Sequence, residues 1–170
     1  MITSASQGLP APNWKWLRNP LHCLSLGFGC GLSPIAPGTI GTLLGVVIYL
    51  LIMDFNTMFY LSVVFLIIGI GTWAAEYTCE ALEGKDHRAI VIDEIAGFLV
   101  ACISLPPSWF YLPLAFVLFR IFDIAKPWPV SFADQHIKGG IGIIADDLLA
   151  GVYTLLCIQL LAFMLSLYNG

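Results

Sequence analysis

Charge is sorted along this chain, and the sorting limits what it can fold into. Five apolar stretches, residues 40–53, 59–75, 89–105, 109–122 and 143–168, are joined by segments of alternating character. The joins at 54–58 and 106–108, and the C-terminus, hold no Lys or Arg. All seven basic residues (Lys15, Arg18, Lys85, Arg88, Arg120, Lys126 and Lys138) fall at the opposite ends of the stretches. If every stretch crosses a membrane, those residues share one side, which the positive-inside rule makes cytoplasmic. Ten of the eleven acids collect there too, Asp54 being the exception. An even number of crossings would scatter both sets; five keeps them together.

Composition agrees with a lipid environment. Hydrophobic residues make up 59% of the 170 positions and charged residues 11%, with a mean hydropathy of +0.89. Soluble domains carry roughly 25% charged residues. The expected fold is therefore all-α: a polytopic bundle of about five membrane helices behind a short N-terminal interfacial or re-entrant helix. A perpendicular span needs about 20 residues, which only 143–168 reaches comfortably, so the shorter stretches imply tilt or a thinned bilayer. Gly41/Gly45 and Gly97/Ala101 place small residues one helical turn apart, where helices in lipid approach closely. A net charge of −4 argues against a nucleic-acid partner. Five cysteines without metal-ligand spacing read as buried free thiols.

Residues 1–13 read as a flexible tail and 14–170 as a single membrane domain. Trp14, Lys15, Trp16 and Arg18 combine ring and charge as an interfacial anchor does. Asn19-Pro20 then supplies an N-cap and a first-turn proline, predicting a short helix to about Leu26. Residues 27–39 are too rich in Gly and Pro for a regular helix.

Acids interrupt the oil at two places. Asp93-Glu94 follows four apolar residues, and Asp146-Asp147 sits between Ile143-Ile144 and Leu148-Leu149. A carboxylate at membrane depth costs a few kcal/mol unless it is paired or ligating; the plainer alternative is acid placed at a helix start by the macrodipole. Adjacent residues point about 100° apart on a helix, so one acid of each pair should face the bundle. Asp147 and Gly151 share a face, which lets a neighbouring helix approach the carboxylate. Arg120, Asp123 and Lys126 recur at a spacing of three and fall along one helix face, either as an internal ion pair or as an anion grip. Pro127-Trp128-Pro129 forms a rigid elbow after them, and Gly139, Gly140 and Gly142 read as a hinge. Gly27, Gly29 and Gly31 serve either helix packing or an anion-binding loop, and Thr39 follows Pro37-Gly38 at a helix start. Glu76, Glu80 and Glu83 read as a solvated helix end, Asp86 and His87 as outer residues of a site, and Asp134, His136 and Lys138 as a polar loop.

Asp93, Glu94, Asp123, Asp146 and Asp147 thus form the candidate catalytic and metal-binding set, with one or both of the last two as ligands. Oxygen-only donors suit Mg²⁺ or Mn²⁺ rather than zinc, and five close carboxylates need a cation to coexist. Arg120, Lys126, Gly29, Gly31 and Thr39 are the candidate phosphate binders. Metal, phosphate and membrane together point to phosphoryl chemistry on a phospholipid. The motifs of covalent phosphatases are missing: no C-x₅-R, no D-x-D and no histidine signature of the phosphatidate-phosphatase kind.

Four segments carry a resemblance: GFGCGLSPIAPGTIGT (27–42), DHRAIVIDEIAG (86–97), FRIFDIAKPWP (119–129) and GGIGIIADDLLAG (139–151). In this order and spacing the chain, from about Asn19 to Ala162, resembles the phosphatidylglycerophosphatase A family of small bacterial membrane phosphatases. Cys30 departs from it, standing where a small hydroxyl residue such as Ser is expected. The resemblance implies Mg²⁺-dependent removal of the terminal phosphate of phosphatidylglycerophosphate, giving phosphatidylglycerol at the cytoplasmic face of the bacterial inner membrane. On that reading metal-activated water attacks phosphorus, Arg120 and Lys126 hold the dianion, and a free carboxylate takes the proton; a direct Asp nucleophile stays open. Two other classes remain beside it: a carboxylate-lined cation transporter or channel, and a non-catalytic assembly subunit.

Overall fold

In the computed structural model residues 12–82, 87–132, 137 and 139–169 are described. Among them all regular structure is helical. Glu83, Lys85, Asp86, Asp134, His136 and Lys138, and most of the proposed tail, lie outside the described residues.

Asn19 caps α1 (Pro20–Ser25), its side chain accepting from the Leu21 N–H at 3.0 Å as the Asn-Pro pair suggested. A 3-10 segment, Gly27–Leu32, follows, broken by a left-handed Gly29 at φ 102°. Then come α2 (Pro37–Ile52), α3 (Thr57–Ala81), α4 (Ile92–Ala101), α5 (Tyr111–Ala125) and α6 (Gly139–Asn169). Two are long and apolar enough to cross a membrane: Thr57–Ala81 and Gly139–Tyr168. At 1.5 Å per residue α3 runs about 37 Å and α6 about 46 Å, but α2 and α5 only about 24 and 22 Å.

The third apolar stretch, 89–105, departs most from expectation. Its helix α4 has ten residues, about 15 Å, against about 30 Å of hydrocarbon. Ile92, Ile95, Ala96, Gly97, Phe98, Leu99 and Ala101 are all buried, and α2, α3, α5 and α6 all touch it. A helix apolar on every side belongs inside a bundle. Its faces divide the core: Ile92, Ile95 and Leu99 pack with Tyr60 and Val64 of α3, and Phe98 and Ala101 with Ala115 and Phe119 of α5 and Ile158 of α6.

The outer surface of the long helices is apolar. Phe65 and Leu66 of α3 are 70% and 59% exposed, and Leu160 and Phe163 of α6 are 60% exposed. Water would penalise so much contiguous apolar area; lipid would not.

Three local expectations are corrected. Gly139, Gly140 and Gly142 form no hinge but the first turn of α6, where the Gly140 N–H donates to the Glu76 carboxylate of α3. Glu76 is thus no solvated helix end: a helix start leaves N–H groups free, and this acid takes one. Lys126 does not continue the face of Arg120 and Asp123. It caps α5 in a left-handed conformation, φ 42°, because the residue before a proline is disfavoured in the helical region, and its side chain leaves in a new direction.

Candidate active site

Asp93 and Glu94 lie in the first turn of α4 and Asp147 in the third turn of α6. One ligand oxygen from each comes together, all three within 4.8 Å of one another. The crossing of α4 and α6 makes this possible. A Cβ on Gly97 would overlap the Asp147 carbonyl, and one on Gly151 would overlap the Gly97 carbonyl. The close approach that the Asp147/Gly151 face suggested is therefore real, and it delivers a carboxylate from each helix to one point.

Arg120 of α5 binds this trio from the side. Its Nη1 lies 2.5 Å from Asp123 Oδ2 and 4.0 Å from Glu94 Oε1, and makes a 3.4 Å contact to the Thr42 hydroxyl of α2. Lys126 Nζ pairs with Asp146 Oδ2 at 2.6 Å. The two acids of the second pair therefore diverge: Asp147 joins Asp93 and Glu94, and Asp146 holds Lys126. Five carboxylates against two cations leave a formal charge of −3 in a largely buried cluster. Glu94 Oε2 and Arg120 Nε are also buried without a hydrogen-bond partner, although buried polar atoms are nearly always satisfied. One acceptor and one donor are thus left for something else.

The residues fit a divalent cation. Three carboxylate oxygens within 4.8 Å of one another could close on a single divalent ion, the hard oxygen set such ions take. The orphaned Glu94 oxygen, the excess negative charge and the oxygen-only donors all agree with Mg²⁺ or Mn²⁺.

The candidate phosphate binders separate. A Cβ on Gly29 would meet Trp14 and Leu17, and one on Gly31 the Ala89 carbonyl. These glycines seat the interfacial anchor and the approach to α4, not the carboxylates. Thr39 is half-buried in the first turn of α2. Beside it, Gly38 closes on Glu94: its Cβ would overlap Glu94 Oε1 and lie 3.3 Å from Arg120 Nη1. The positive end of α2 is thereby aimed at the acid. Thr42, one turn on, is fully buried and donates to the Gly38 carbonyl at 2.9 Å. Sequence reading missed both Gly38 and Thr42; the signal was a hydroxyl on the same helical face as Gly38 and Gly45. His87 stays in the turn before α4, its Nδ1 accepting from the Ala89 N–H at 3.1 Å. At the anchor, His22 contacts the Thr78 hydroxyl at 3.0 Å between the rings of Trp16 and Tyr77, and burial pushes its pKa down.

An all-helical protein with an apolar exterior and a buried carboxylate centre flanked by Arg and Lys is, by class, a membrane-associated protein with an acidic site. More particularly, the chain belongs to the phosphatidylglycerophosphatase A family, whose profile matches residues 23–162. It is 41% identical to the phosphatidylglycerophosphatase A of Escherichia coli (strain K12), over 80% of each chain. The phosphatidylglycerophosphatase A of Haemophilus influenzae is 35% identical, with 84% of this chain and 88% of that one covered. A Bacteroides thetaiotaomicron protein that bears the name "Putative phosphatidylinositol-3-phosphatase" is 37% identical, with 84% and 94% covered. No solved structure matches the chain.

Proposed function

We infer that the chain hydrolyses phosphatidylglycerophosphate to phosphatidylglycerol and inorganic phosphate. The observation that carries this reading is the meeting of Asp93, Glu94 and Asp147 beside the Arg120–Asp123 pair, in a chain whose relatives are named for that reaction. Neither the relatives nor the described residues favour the transporter or the assembly subunit.

Asp93, Glu94 and Asp147 would hold Mg²⁺, with Mn²⁺ suited to the same donors. Bound there, such an ion supplies Lewis acidity to the phosphoryl oxygens and lowers the pKa of a water. Arg120 and Lys126 grip the monoester dianion and balance charge that grows in the transition state. Asp123 and Asp146, set out at first as ligands, act chiefly by orienting those two cations. Asp123, which meets the trio both through Arg120 and directly at Asp147, accepts the proton of the attacking water. The unpartnered Arg120 Nε is the donor left for a phosphate oxygen.

The domain sits across the bacterial inner membrane with this site at the cytoplasmic side. Five traverses follow from the charge sorting, α2 and α5 crossing thinned bilayer and α4 enclosed by the others. Exposed Trp14 and Trp128 at one end, and Trp109 and Tyr168 at the other, match two interfacial belts.

The test is phosphate release from phosphatidylglycerophosphate by purified protein in detergent, with EDTA and then with Mg²⁺ restored. Release should stop with EDTA and return with Mg²⁺. Release that ignores EDTA would remove the metal from the reading, and no release under any condition would remove the activity. Phosphatidylinositol 3-phosphate in the same assay should be the poorer substrate, and a preference for it would reassign the headgroup along the line of the Bacteroides name.

A further inference from the structure

A headgroup bound at the carboxylates leaves two acyl chains to be placed, and they must leave the site sideways into lipid. Asp147 lies eight residues into α6, about 12 Å from its start. The reacting phosphate therefore sits below the level of the first helical turns, beside apolar wall.

One crevice in that wall is suited to a chain. Leu24 of α1, Leu66, Ile67, Ile70 and Gly71 of α3, and Ile92 of α4 line a cavity of about 210 Å³ with an almost wholly apolar surface. Its inner wall is the residue next to Asp93. Gly71 is packed where a Cβ would lie 2.8 Å from Ile92 Cγ1 and 3.4 Å from Ile144 Cδ1, and Ile144 stands one turn before Asp147. Leu66 and Ile70 are exposed, so the crevice opens to the lipid-facing side. The carboxylate trio and the crevice thus share α4, where Ile92 lines the crevice and the next residue is Asp93. Two further cavities lie around Tyr49, Met53 and Leu105, at the opposite end of α4 from Asp93.

We propose that this crevice between α1, α3 and α4 is the acyl-chain subsite, receiving one fatty-acyl chain of the phospholipid whose phosphate is held by the carboxylate site. The proposal rests on the function inferred above. It makes Leu24 and Ile67 specificity-determining residues that contact the chain and not the reacting atoms.

The test fills the crevice from opposite walls with Leu24→Trp and, separately, Ile67→Trp. Each purified variant is assayed on dioleoyl phosphatidylglycerophosphate and on the deacylated headgroup phosphomonoester. For the dioleoyl substrate KM should rise about tenfold, as expected from losing the burial of roughly two methylenes. For the deacylated substrate kcat/KM should stay within twofold. No change on the dioleoyl substrate in either variant, or equal loss on both substrates, overturns the subsite. A second measurement separates substrate from bulk lipid and does not depend on turnover of the deacylated compound. Phosphatidylglycerophosphate with a photoactivatable group in one acyl chain should label the peptide containing Leu66, Ile67 and Ile70. Excess unlabelled substrate should compete and phosphatidylcholine should not; labelling that both lipids suppress alike also overturns it. Failure of wild-type protein to hydrolyse the dioleoyl substrate would instead fall on the function itself.

Discussion

The two ends of the helix bundle are built on opposite principles. At the end that holds Arg120 and the carboxylates, polar groups are left wanting: Ser25 Oγ, Glu94 Oε2 and Arg120 Nε are buried without partners. At the other end, where Tyr60, Cys102 and Tyr111 gather, no fully buried side-chain N or O atom among the described residues lacks a partner. Tyr60 donates to the Leu99 carbonyl at 2.7 Å, and Gln159 to the Ser104 carbonyl at 2.8 Å. Phe98 stacks edge-on against Phe116 and Phe119. One end stores unmet electrostatic demand and the other supplies the packing that keeps it in place. Stability and reactivity should therefore respond to substitution in different places.

Asp147→Asn breaks the comparison hardest. Losing a ligand from the trio should lower phosphate release by roughly 100- to 10,000-fold, the range for a positioned acid–base or charged group. Thermal stability in EDTA should hold or rise, because one of three mutually repelling carboxylates within 4.8 Å is neutralised. Activity assays and melting curves on the same preparation check both halves. Near wild-type release would remove Asp147 from the site, and a large fall in melting temperature would show that the charge is structural.

This division of labour was partly legible in the chain. Acids set inside apolar runs announce a reason to be there, so Asp93-Glu94 and Asp146-Asp147 stand out, and the sorting of Lys and Arg puts them at one end. The spacing of Arg120 and Asp123 left an ion pair and an anion grip open, and the structure shows the pair. What stayed hidden depends on how helices cross. Gly38 and Thr42 look like ordinary members of α2 until its first turn is laid over Glu94. Glu76 looks solvated until the start of α6 is brought against α3. Gly29 and Gly31 look fit for an anion, and nothing in the sequence shows that their missing side chains also admit Trp14 and the Ala89 carbonyl. Neither the enclosure of α4 nor its ten-residue length was readable: α3 and α6 are as apolar yet face outward, and apolar sequence continues past both ends of α4.

Gly97 links the two ends, so its replacement should blur the contrast. Even Gly97→Ala puts a Cβ against the Asp147 carbonyl and 2.9 Å from Phe119 Cε2. Pushing α4 from α6 both strains the core and parts the carboxylates. The expected cost is about 1–3 kcal/mol of stability, typical of overpacking, with a loss of activity beside it. Melting curves and phosphate release should fall together here, unlike Asp147→Asn. A variant that keeps full stability and activity would mean that the helices part easily and that the crossing does not set the site.

Tyr60→Phe should have the smallest effect and sharpens the contrast from the quiet end. It removes one hydroxyl and leaves the ring, which lies edge-on to Tyr49 with centroids 6.2 Å apart. The Leu99 carbonyl, near the end of α4 where carbonyls are short of intrahelical donors, loses the hydroxyl and keeps the 3.3 Å bond from the Cys102 N–H. The cost should be about 1 kcal/mol, seen as a fall of roughly 2–4 °C in melting temperature for a chain of this size. Phosphate release should stay within twofold, since no charged group moves. If activity fell as far as stability, the quiet end would be coupled to the carboxylates through α4, and a short rigid helix with Leu99 near one end and Asp93 near the other is the element that would carry it.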